Sequence, residues 1–194
     1  DITFPAKNIN DFAKIHSPFY PTFSAELFCQ NLEIFHLTGD EPFNALSLGN
    51  RKKANLAYVM ALGTDVLLLD EPTNGLDINA KKDLLKIMVG SLKEHQTVIV
   101  STHTVWDLKN LFESVMMLRR GNLLLSMSTE EIGRKLSFMA STSPNPNALY
   151  MEQDMNGFRS IEKNIDGNET EINFALIYSA LMSDAAQNVL DALK

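Results

Sequence analysis

A run of four large aliphatic residues, Val-Leu-Leu-Leu at 66–69, ends directly in two carboxylates, Asp70 and Glu71. A short, wholly apolar run is typical of a β-strand that is covered on both faces. Helical patterns then alternate with further apolar runs: helices are expected over 79–93 and 104–112, and strands at 98–100, 115–118 and 123–125. This alternation predicts a layered α/β fold in which the strands between 66 and 127 lie side by side in one sheet.

The residues before and after this block follow other patterns. Residues 8–37 have helical spacing that Pro18 and Pro21 interrupt, which predicts two helices joined by an aromatic turn at 19–23. Another helix is expected over 50–62. A polar stretch with two prolines at 141–147 predicts a boundary near 140–147. Short strands at 148–152 and 157–161 and helical spacing over 172–193 follow it.

Composition excludes several classes of protein. The chain carries 17 Lys and Arg against 24 Asp and Glu, and a non-specific nucleic-acid binder needs a positive surplus. The longest apolar run, 56–62, is far shorter than the roughly 20 residues that a membrane span needs. Cys29 is the only cysteine, so an intramolecular disulfide and a cysteine-built zinc site are both excluded.

Two adjacent carboxylates at the end of an apolar strand require a chemical explanation. Charged groups are costly to desolvate unless a partner compensates them, and the carboxyl ends of strands are where open α/β sheets bind ligands. A Mg²⁺ ion with nucleotide phosphates would be such a partner, with one carboxylate holding the metal and the next polarising an attacking water. The alternative is a helix N-terminus, where the helix dipole favours Asp and Glu. For an isolated pair, this alternative is the better one.

Two further segments indicate a function only when they are considered together with Asp70 and Glu71. Residues 46–51, Leu-Ser-Leu-Gly-Asn-Arg, form a Ser/Gly turn that opens a helix, where free backbone N–H groups and the Ser47 hydroxyl can bind an anion. Taken alone, that turn is a helix cap. Residues 98–103, Val-Ile-Val-Ser-Thr-His, place His103 just past a second apolar run, where a single histidine is usually structural.

In this order the three segments resemble the signature loop, the Walker B strand with its D-loop, and the switch histidine of the ATP-binding-cassette (ABC) ATPases. The resemblance is close over 46–121, and residues 8–45 resemble the helical subdomain that precedes the signature. The implied fold is α/β, a partial ABC-type P-loop NTPase core with a small α+β C-terminal appendage. Three segments are expected: the helical subdomain ending in the signature loop (1–49), the α/β catalytic portion (50–140) and the acidic appendage (141–194).

The resemblance implies ATP and Mg²⁺ as cofactors and assigns roles to individual residues. Asp70 would hold Mg²⁺ through water, Glu71 would orient and polarise the attacking water, and His103 would contact the γ-phosphate. Asp70 and His103 are therefore expected near the same edge of the sheet. The signature would bind the nucleotide of a second cassette, and the D-loop would line the seam between the cassettes. The signature residues are Ser47, Leu48, Gly49 and Asn50, and the D-loop residues are Asn74, Gly75, Leu76 and Asp77.

Two features depart from the family pattern. The signature commonly has Gly where this chain has Leu48 and Gln where it has Asn50, which would weaken contacts to phosphate. The phosphate-loop pattern G-x-x-x-x-G-K-[ST] is also absent from the 194 residues, and the first residue is Asp1 rather than Met. The chain is therefore expected to be the C-terminal part of a longer cassette that lacks the Walker A and glutamine-loop region.

The function implied by the resemblance is that of an ATP-hydrolysing subunit of an ABC transporter. The short form of the segments around 8–12 and 19–21 resembles transporter subunits, mostly exporters. Expected partners are a transmembrane permease subunit and a second cassette at the cytoplasmic face of the membrane, without nucleic acid. The alternatives are a soluble ABC ATPase of translation or DNA repair, and a non-catalytic dimerisation or regulatory fragment. Phe19, Tyr20 and Phe23 are either core residues or a groove for the membrane subunit.

Overall fold

In the computed structural model, which describes residues 6–194, the chain divides between Asp107 and Leu108 into two units. The first five residues of the expected segment 1–49 lie outside this described part. The first unit contains helices α1 (Ile9–His16), α2 (Ala25–Ile34), α3 (Leu48–Met60) and α4 (Ile78–Ser91) and strands β1 (Val66–Asp70) and β2 (Thr97–Ser101).

Side-chain caps determine where the first three helices begin. The side-chain oxygens of Asn8, Ser24 and Ser47 each accept a hydrogen bond from a backbone N–H group in the first turn, at 2.8, 3.2 and 3.2 Å. Such caps satisfy donors that have no partner inside the helix. Pro18 and Pro21 lie between α1 and α2, so the two helices expected within 8–37 are confirmed.

A buried polar link joins α2, α3 and α4. Asn31 is only 1% exposed, and its Nδ2 donates to the Ala57 carbonyl of α3 at 3.3 Å. Its Oδ1 accepts from the Ser91 hydroxyl of α4 at 3.2 Å. Because both ends of the amide have partners, the polar side chain is accommodated in an otherwise apolar core.

Aromatic side chains build the rest of this helical core. The rings of Phe23, Phe28 and Tyr58 lie 5.5 to 6.1 Å apart between centroids, in arrangements that stabilise aromatic pairs. Phe23 is therefore a packing residue. Phe19 and Tyr20 differ from it, since they are 76% and 40% exposed.

Strands β1 and β2 are parallel and pair residue for residue from Val66↔Thr97 to Asp70↔Ser101. The helix expected over 79–93 is confirmed as α4, which connects them. Along β1, Leu67 and Leu69 are buried while Val66 and Leu68 are 56% and 71% exposed. The expectation of a strand covered on both faces is therefore wrong for the part of the chain that the structure describes.

The helix expected over 104–112 is also wrong. Residues Val105–Asp107 and Lys109–Leu111 form two separate 3₁₀ turns. The Leu111 N–H donates to the Leu108 carbonyl at 2.9 Å, which is the three-residue spacing of a 3₁₀ turn rather than the four-residue spacing of an α-helix.

The second unit begins with a hairpin of β3 (Ser114–Arg119) and β4 (Asn122–Ser128). Its turn places Arg120 and Gly121 at positive φ, 49° and 79°, the combination that a tight hairpin turn with the right twist requires. In the described residues these strands form their own two-stranded antiparallel sheet. The expectation of one sheet over 66–127 is wrong, because the tight turn pairs the two runs with each other.

A small α+β arrangement completes this unit. It comprises α5 (Thr129–Lys135), β5 (Leu136–Ser141), β6 (Tyr150–Asp154), β7 (Gly157–Lys163), α6 (Phe174–Met182) and α7 (Ala186–Leu193). The strands form an antiparallel sheet in the order β5-β7-β6. Its most buried side chains include Ile132, Leu136, Ile161, Ile177 and Val189. The polar stretch 141–147 begins at the last residue of β5 and is part of the connection from β5 to β6, which belong to the same sheet.

Among residues 6–194, no helix is long and apolar enough to cross a membrane.

Gly157 gives a test of this sheet. It has φ +134°, and a Cβ there would lie 2.3 Å from the Ser141 carbonyl oxygen. Gly157→Ala is therefore expected to lower the free energy of unfolding by about 1–3 kcal/mol, measured by urea denaturation. At Gly133 in α5, a Cβ would meet nothing within 4 Å, so the control Gly133→Ala is expected to be neutral or stabilising by up to about 1 kcal/mol. Equal effects of the two substitutions would contradict the sheet geometry.

Candidate functional site

The ends of β1 and β2 bring two polar residues together. The parallel register pairs Asp70 with Ser101, and the Ser101 hydroxyl donates a hydrogen bond to the Asp70 carboxylate. Leu67 and Leu69 anchor β1 in the core, while Asp70 at its end is exposed. A carboxyl side chain therefore lies at the carboxyl edge of the sheet, where α/β folds bind ligands.

Glu71 is the most constrained residue of this edge. It is one of three non-glycine residues at positive φ among those described, with φ 45°, a backbone conformation that non-glycine residues rarely adopt. Its backbone N–H donates to the Ser101 carbonyl at 2.8 Å. Its carboxylate accepts from the Thr102 hydroxyl at 3.1 Å and from the His103 backbone N–H at 3.0 Å.

The Glu71 carboxylate also contacts the His103 ring directly, since Oε1 lies 2.6 Å from Nδ1. The hydrogen bond from this ring is the main cause that holds the pKa of Glu71 below its ordinary value of 4.5, with smaller contributions from the His103 backbone N–H and Thr102, while partial burial opposes the shift. Glu71 is therefore ionised at neutral pH and can act as a hydrogen-bond or proton acceptor. Asp70, Glu71 and His103 thus share one edge, as the sequence predicted.

The sequence did not single out three of the residues in this network. Ser101, Thr102 and Lys52 all bond to Asp70 or Glu71. The positions of Ser101 and Thr102 could have been recognised in the sequence, because hydroxyl residues at the end of one strand of a parallel pair lie beside the carboxylates at the end of the other. Lys52 had no such signal, because it is brought to the site by a helix.

Residues 44–47, called the Ser47 loop, are held in a defined conformation by Arg51. The Arg51 guanidinium donates to the carbonyls of Leu46 and Asn44, both at 3.1 Å, and lies 5.5 Å from the Phe43 ring centroid. The Ser47 hydroxyl caps α3 by accepting from the Asn50 N–H. Leu48 is 84% exposed beside it. The cap predicted from the sequence is therefore present, and the hydroxyl keeps its own proton for donation to a ligand.

The turn 74–77 presents a partly exposed surface. Asn74 donates its N–H to the Glu71 carbonyl at 3.2 Å, and Gly75 has φ 75°. Leu76 is buried, so its side chain is part of the core rather than of a surface. Asp77 accepts from the Ala80 N–H at 2.9 Å and caps α4, which is the main reason why its pKa is lowered.

Leu48, which follows Ser47, and Asp70 border the same open cleft, of about 1360 Å³. Its walls include Leu48, Lys52, Asp70, Asn74 and Gly75. The first turn of α3 lies close to the turn 74–77, since a Cβ on Gly49 would come within 3.5 Å of the Gly75 carbonyl oxygen. The structure therefore brings together the first turn of α3 and residues 70–75, which are separate in the sequence.

The oxygen donors at this edge fit a hard divalent cation. Mg²⁺ prefers oxygen ligands, and it is usually bound by one or two carboxylates together with water and substrate phosphates. Asp70 supplies one exposed carboxylate and Ser101 a hydroxyl beside it. Within the described part of the chain no group of three or more His, Cys, Asp and Glu residues could hold a metal, so these residues fit Mg²⁺ only where water or phosphates complete its coordination.

Comparison with known proteins places the chain in a family. The family described as "AAA domain, putative AbiEii toxin, Type IV TA system" matches residues 7–105, which contain all the site residues above. The chain belongs to this AAA-domain family. The chain also resembles part of the ATP-binding proteins of ABC transporters, as the motifs predicted.

Named relatives support this resemblance. The energy-coupling factor transporter ATP-binding protein EcfA2 of Streptococcus sanguinis is 32% identical over 115 residues, which are 56% of this AAA-domain chain and 41% of the relative. The ABC transporter ATP-binding protein YcbN of Bacillus subtilis is 28% identical over 149 residues, 73% of this chain and 48% of the relative. The chain thus spans less than half the length of these relatives.

A solved structure shows the same fold. The ATP-binding subunit of an ABC transporter superposes with a TM-score of 0.61 at 20% identity, over 69% of this AAA-domain chain and 57% of that subunit. The chain therefore shares the α/β fold of that ATP-binding subunit, and the fold class predicted from the sequence is confirmed.

The contact between Glu71 and His103 gives a test by titration. Because the His103 ring is the main cause of the lowered pKa of Glu71, His103→Ala is expected to raise that pKa towards 4.5. The hydrogen bond between the Glu71 carboxylate and the His103 ring is present at pH values above the lowered pKa of Glu71, and it is lost as the pH falls through that pKa. Carbon-13 NMR of the Glu71 carboxyl group measures the change. His95 contacts Asp65 instead, at 3.8 Å, so His95→Ala is the control. An unchanged Glu71 titration in His103→Ala would disprove the contact.

Proposed function

We propose that the chain is the C-terminal part of an ATP-binding and ATP-hydrolysing subunit of an ABC transporter. The observation that carries the proposal is the cluster of Asp70, Glu71 and His103 at the carboxyl edge of β1 and β2, in which Glu71 contacts His103 directly. The family match and the relatives named ABC transporter ATP-binding proteins support the same conclusion.

Each residue of the cluster has a separate task in this proposal. Asp70 is exposed and accepts a hydrogen bond from Ser101, and its carboxylate oxygens would hold Mg²⁺. A bound Mg²⁺ neutralises the charge of the nucleotide phosphates. Glu71, whose pKa is held below its ordinary value mainly by the hydrogen bond from the His103 ring, would orient and polarise the attacking water as a carboxylate. His103, whose side chain is 76% exposed, would contact the γ-phosphate while it holds Glu71 in place.

The phosphate loop has to come from polypeptide outside residues 1–194, in which its pattern is absent. The uncovered face of β1 and β2 supports this part of the proposal. Val66, Leu68 and Ile99 expose 56%, 71% and 42% of their surface, although parallel strands are normally covered on both faces. The Walker A and glutamine-loop region of the complete cassette would cover this face.

The remaining site residues are proposed to act on partners. Ser47, Leu48, Gly49 and Asn50 would bind the nucleotide of a second cassette, and the exposed Asn74, Gly75 and Asp77 would line the seam between the two. Phe19 and Tyr20, exposed between α1 and α2, would contact the transmembrane permease subunit at the cytoplasmic face of the membrane. None of the relatives reported above is named an exporter, so the export direction is left out of this proposal.

The 194-residue chain alone is expected not to hydrolyse ATP, because its sequence lacks the phosphate-loop pattern, whose lysine and backbone amides hold the β- and γ-phosphates. A phosphate-release assay with Mg-ATP on the purified chain measures this. Turnover that Glu71→Gln abolishes would reveal a phosphate site within the chain and contradict the expectation.

In the complete cassette, Glu71→Gln is expected to reduce turnover by at least about 100-fold, the usual contribution of a positioned general base, while ATP affinity stays within a few-fold. Binding is retained because it depends on the metal and phosphate contacts rather than on the base. Equilibrium binding and steady-state turnover are measured on the same sample.

Glu33, an exposed carboxylate of α2, provides the matched control, and Glu33→Gln is expected to leave both quantities unchanged. Turnover of Glu71→Gln at the wild-type rate would eliminate Glu71 as the base. A loss of ATP affinity together with turnover would assign Glu71 to binding instead.

A further inference from the structure

Lys52 connects α3 to the backbone of the catalytic edge. It lies in the second turn of α3, and its ammonium group donates to the Glu71 carbonyl at 2.5 Å and to the Asn74 carbonyl at 2.8 Å. These two carbonyls lie on either side of the turn that leads from β1 to α4. One side chain from a different element therefore binds both ends of that turn.

These bonds act on a residue whose backbone conformation is strained. Glu71 has φ 45°, and such a conformation persists only where the surrounding structure holds it in place. Its N–H is bound by the Ser101 carbonyl at 2.8 Å, and its carbonyl by Lys52 together with the Asn74 N–H. Both backbone groups of Glu71 are thus held, one by β2 and the other by α3.

Two opposing effects act on the charge of Lys52, and burial is the larger of them. Its stem is partly buried, which lowers the pKa of its ammonium group, while the nearby carboxylates of Glu71 and Asp70 act against that change. Hydrogen bonds from a charged group are stronger than those between neutral groups. A methionine at this position would keep the length of the stem and lose both bonds.

We propose that Lys52 is a positioning residue, which fixes the Glu71 carboxylate by holding the Glu71 and Asn74 carbonyls and makes its placement depend on α3. Because α3 begins at the Ser47 loop, a displacement of that loop is transmitted to Glu71 through this side chain. The hydrogen-bonding role stands on the structure alone, and only its effect on turnover rests on the proposed function.

Hydrogen exchange on the 194-residue chain tests the positioning role without ATP. In Lys52→Met, the amides of Glu71 and Asn74 are expected to exchange about tenfold faster, the scale of one lost charged hydrogen bond. The amide of Phe28 in α2, bonded to the Ser24 carbonyl, is expected to stay within about twofold. Lys52→Arg keeps charged donors and is expected to restore most of the protection.

Lys82 provides the matched control, because it is an exposed lysine of α4 and Lys82→Met removes the same charge. It is expected to leave the exchange of Glu71 and Asn74 unchanged. Equal acceleration of all amides in Lys52→Met would show a general loss of stability and overturn the proposal. Unchanged exchange at Glu71 and Asn74 would overturn it as well.

The second readout is the kinetics of the complete cassette. Lys52→Met is expected to lower kcat about tenfold while KM for ATP stays within about twofold, because the lost bonds place the base rather than bind nucleotide. A rise in KM at constant kcat would overturn the positioning role. Failure of the proposed function can be told apart from failure of this inference. The first would appear as wild-type turnover in Glu71→Gln, and the exchange experiment would still decide whether Lys52 positions Glu71.

Discussion

The parallel pairing of β1 and β2 is the constraint on which the site depends. Because Asp70 lies opposite Ser101, the residues that follow each strand leave the sheet at the same edge, and Glu71 meets Thr102 and His103 there. A shift of one residue along either strand would turn each side chain of that strand to the opposite face of the sheet. The chemistry proposed for this edge therefore rests on the backbone pairing of two largely apolar strands.

The helices determine what else reaches this edge. Asn31 ties α2 to α3 and α4, so the helix that carries the Ser47 loop is fixed to the helix that follows β1. Lys52 extends the same arrangement to the backbone of Glu71. Phosphoryl transfer requires mainly positioning and neutralisation of charge, and a site of this kind can therefore be built from a few polar side chains on a rigid apolar frame.

The features that could be predicted from sequence were those with a local cause. The strand before Asp70, the cap at Ser47 and the helices around Pro18 and Pro21 all follow from neighbouring residues. The hairpin at Arg120 and Gly121 was assigned to the wrong sheet, because an apolar run does not reveal which strand it pairs with. The stretch 104–112 has helical spacing, but it forms two short 3₁₀ turns in place of the expected α-helix. The role of Lys52 was missed because its two partners are 19 and 22 positions away.

The positive φ of Glu71 places two opposing demands on one position. Glycine adopts this conformation without steric strain, so Glu71→Gly would relieve the backbone while removing the carboxylate that contacts His103. The residue best suited to the turn is thus the one least suited to the chemistry. Under the proposed function, this position carries a trade-off between stability and activity, in which the Glu71 carboxylate is retained although its backbone conformation costs about 1 kcal/mol or more of folding free energy.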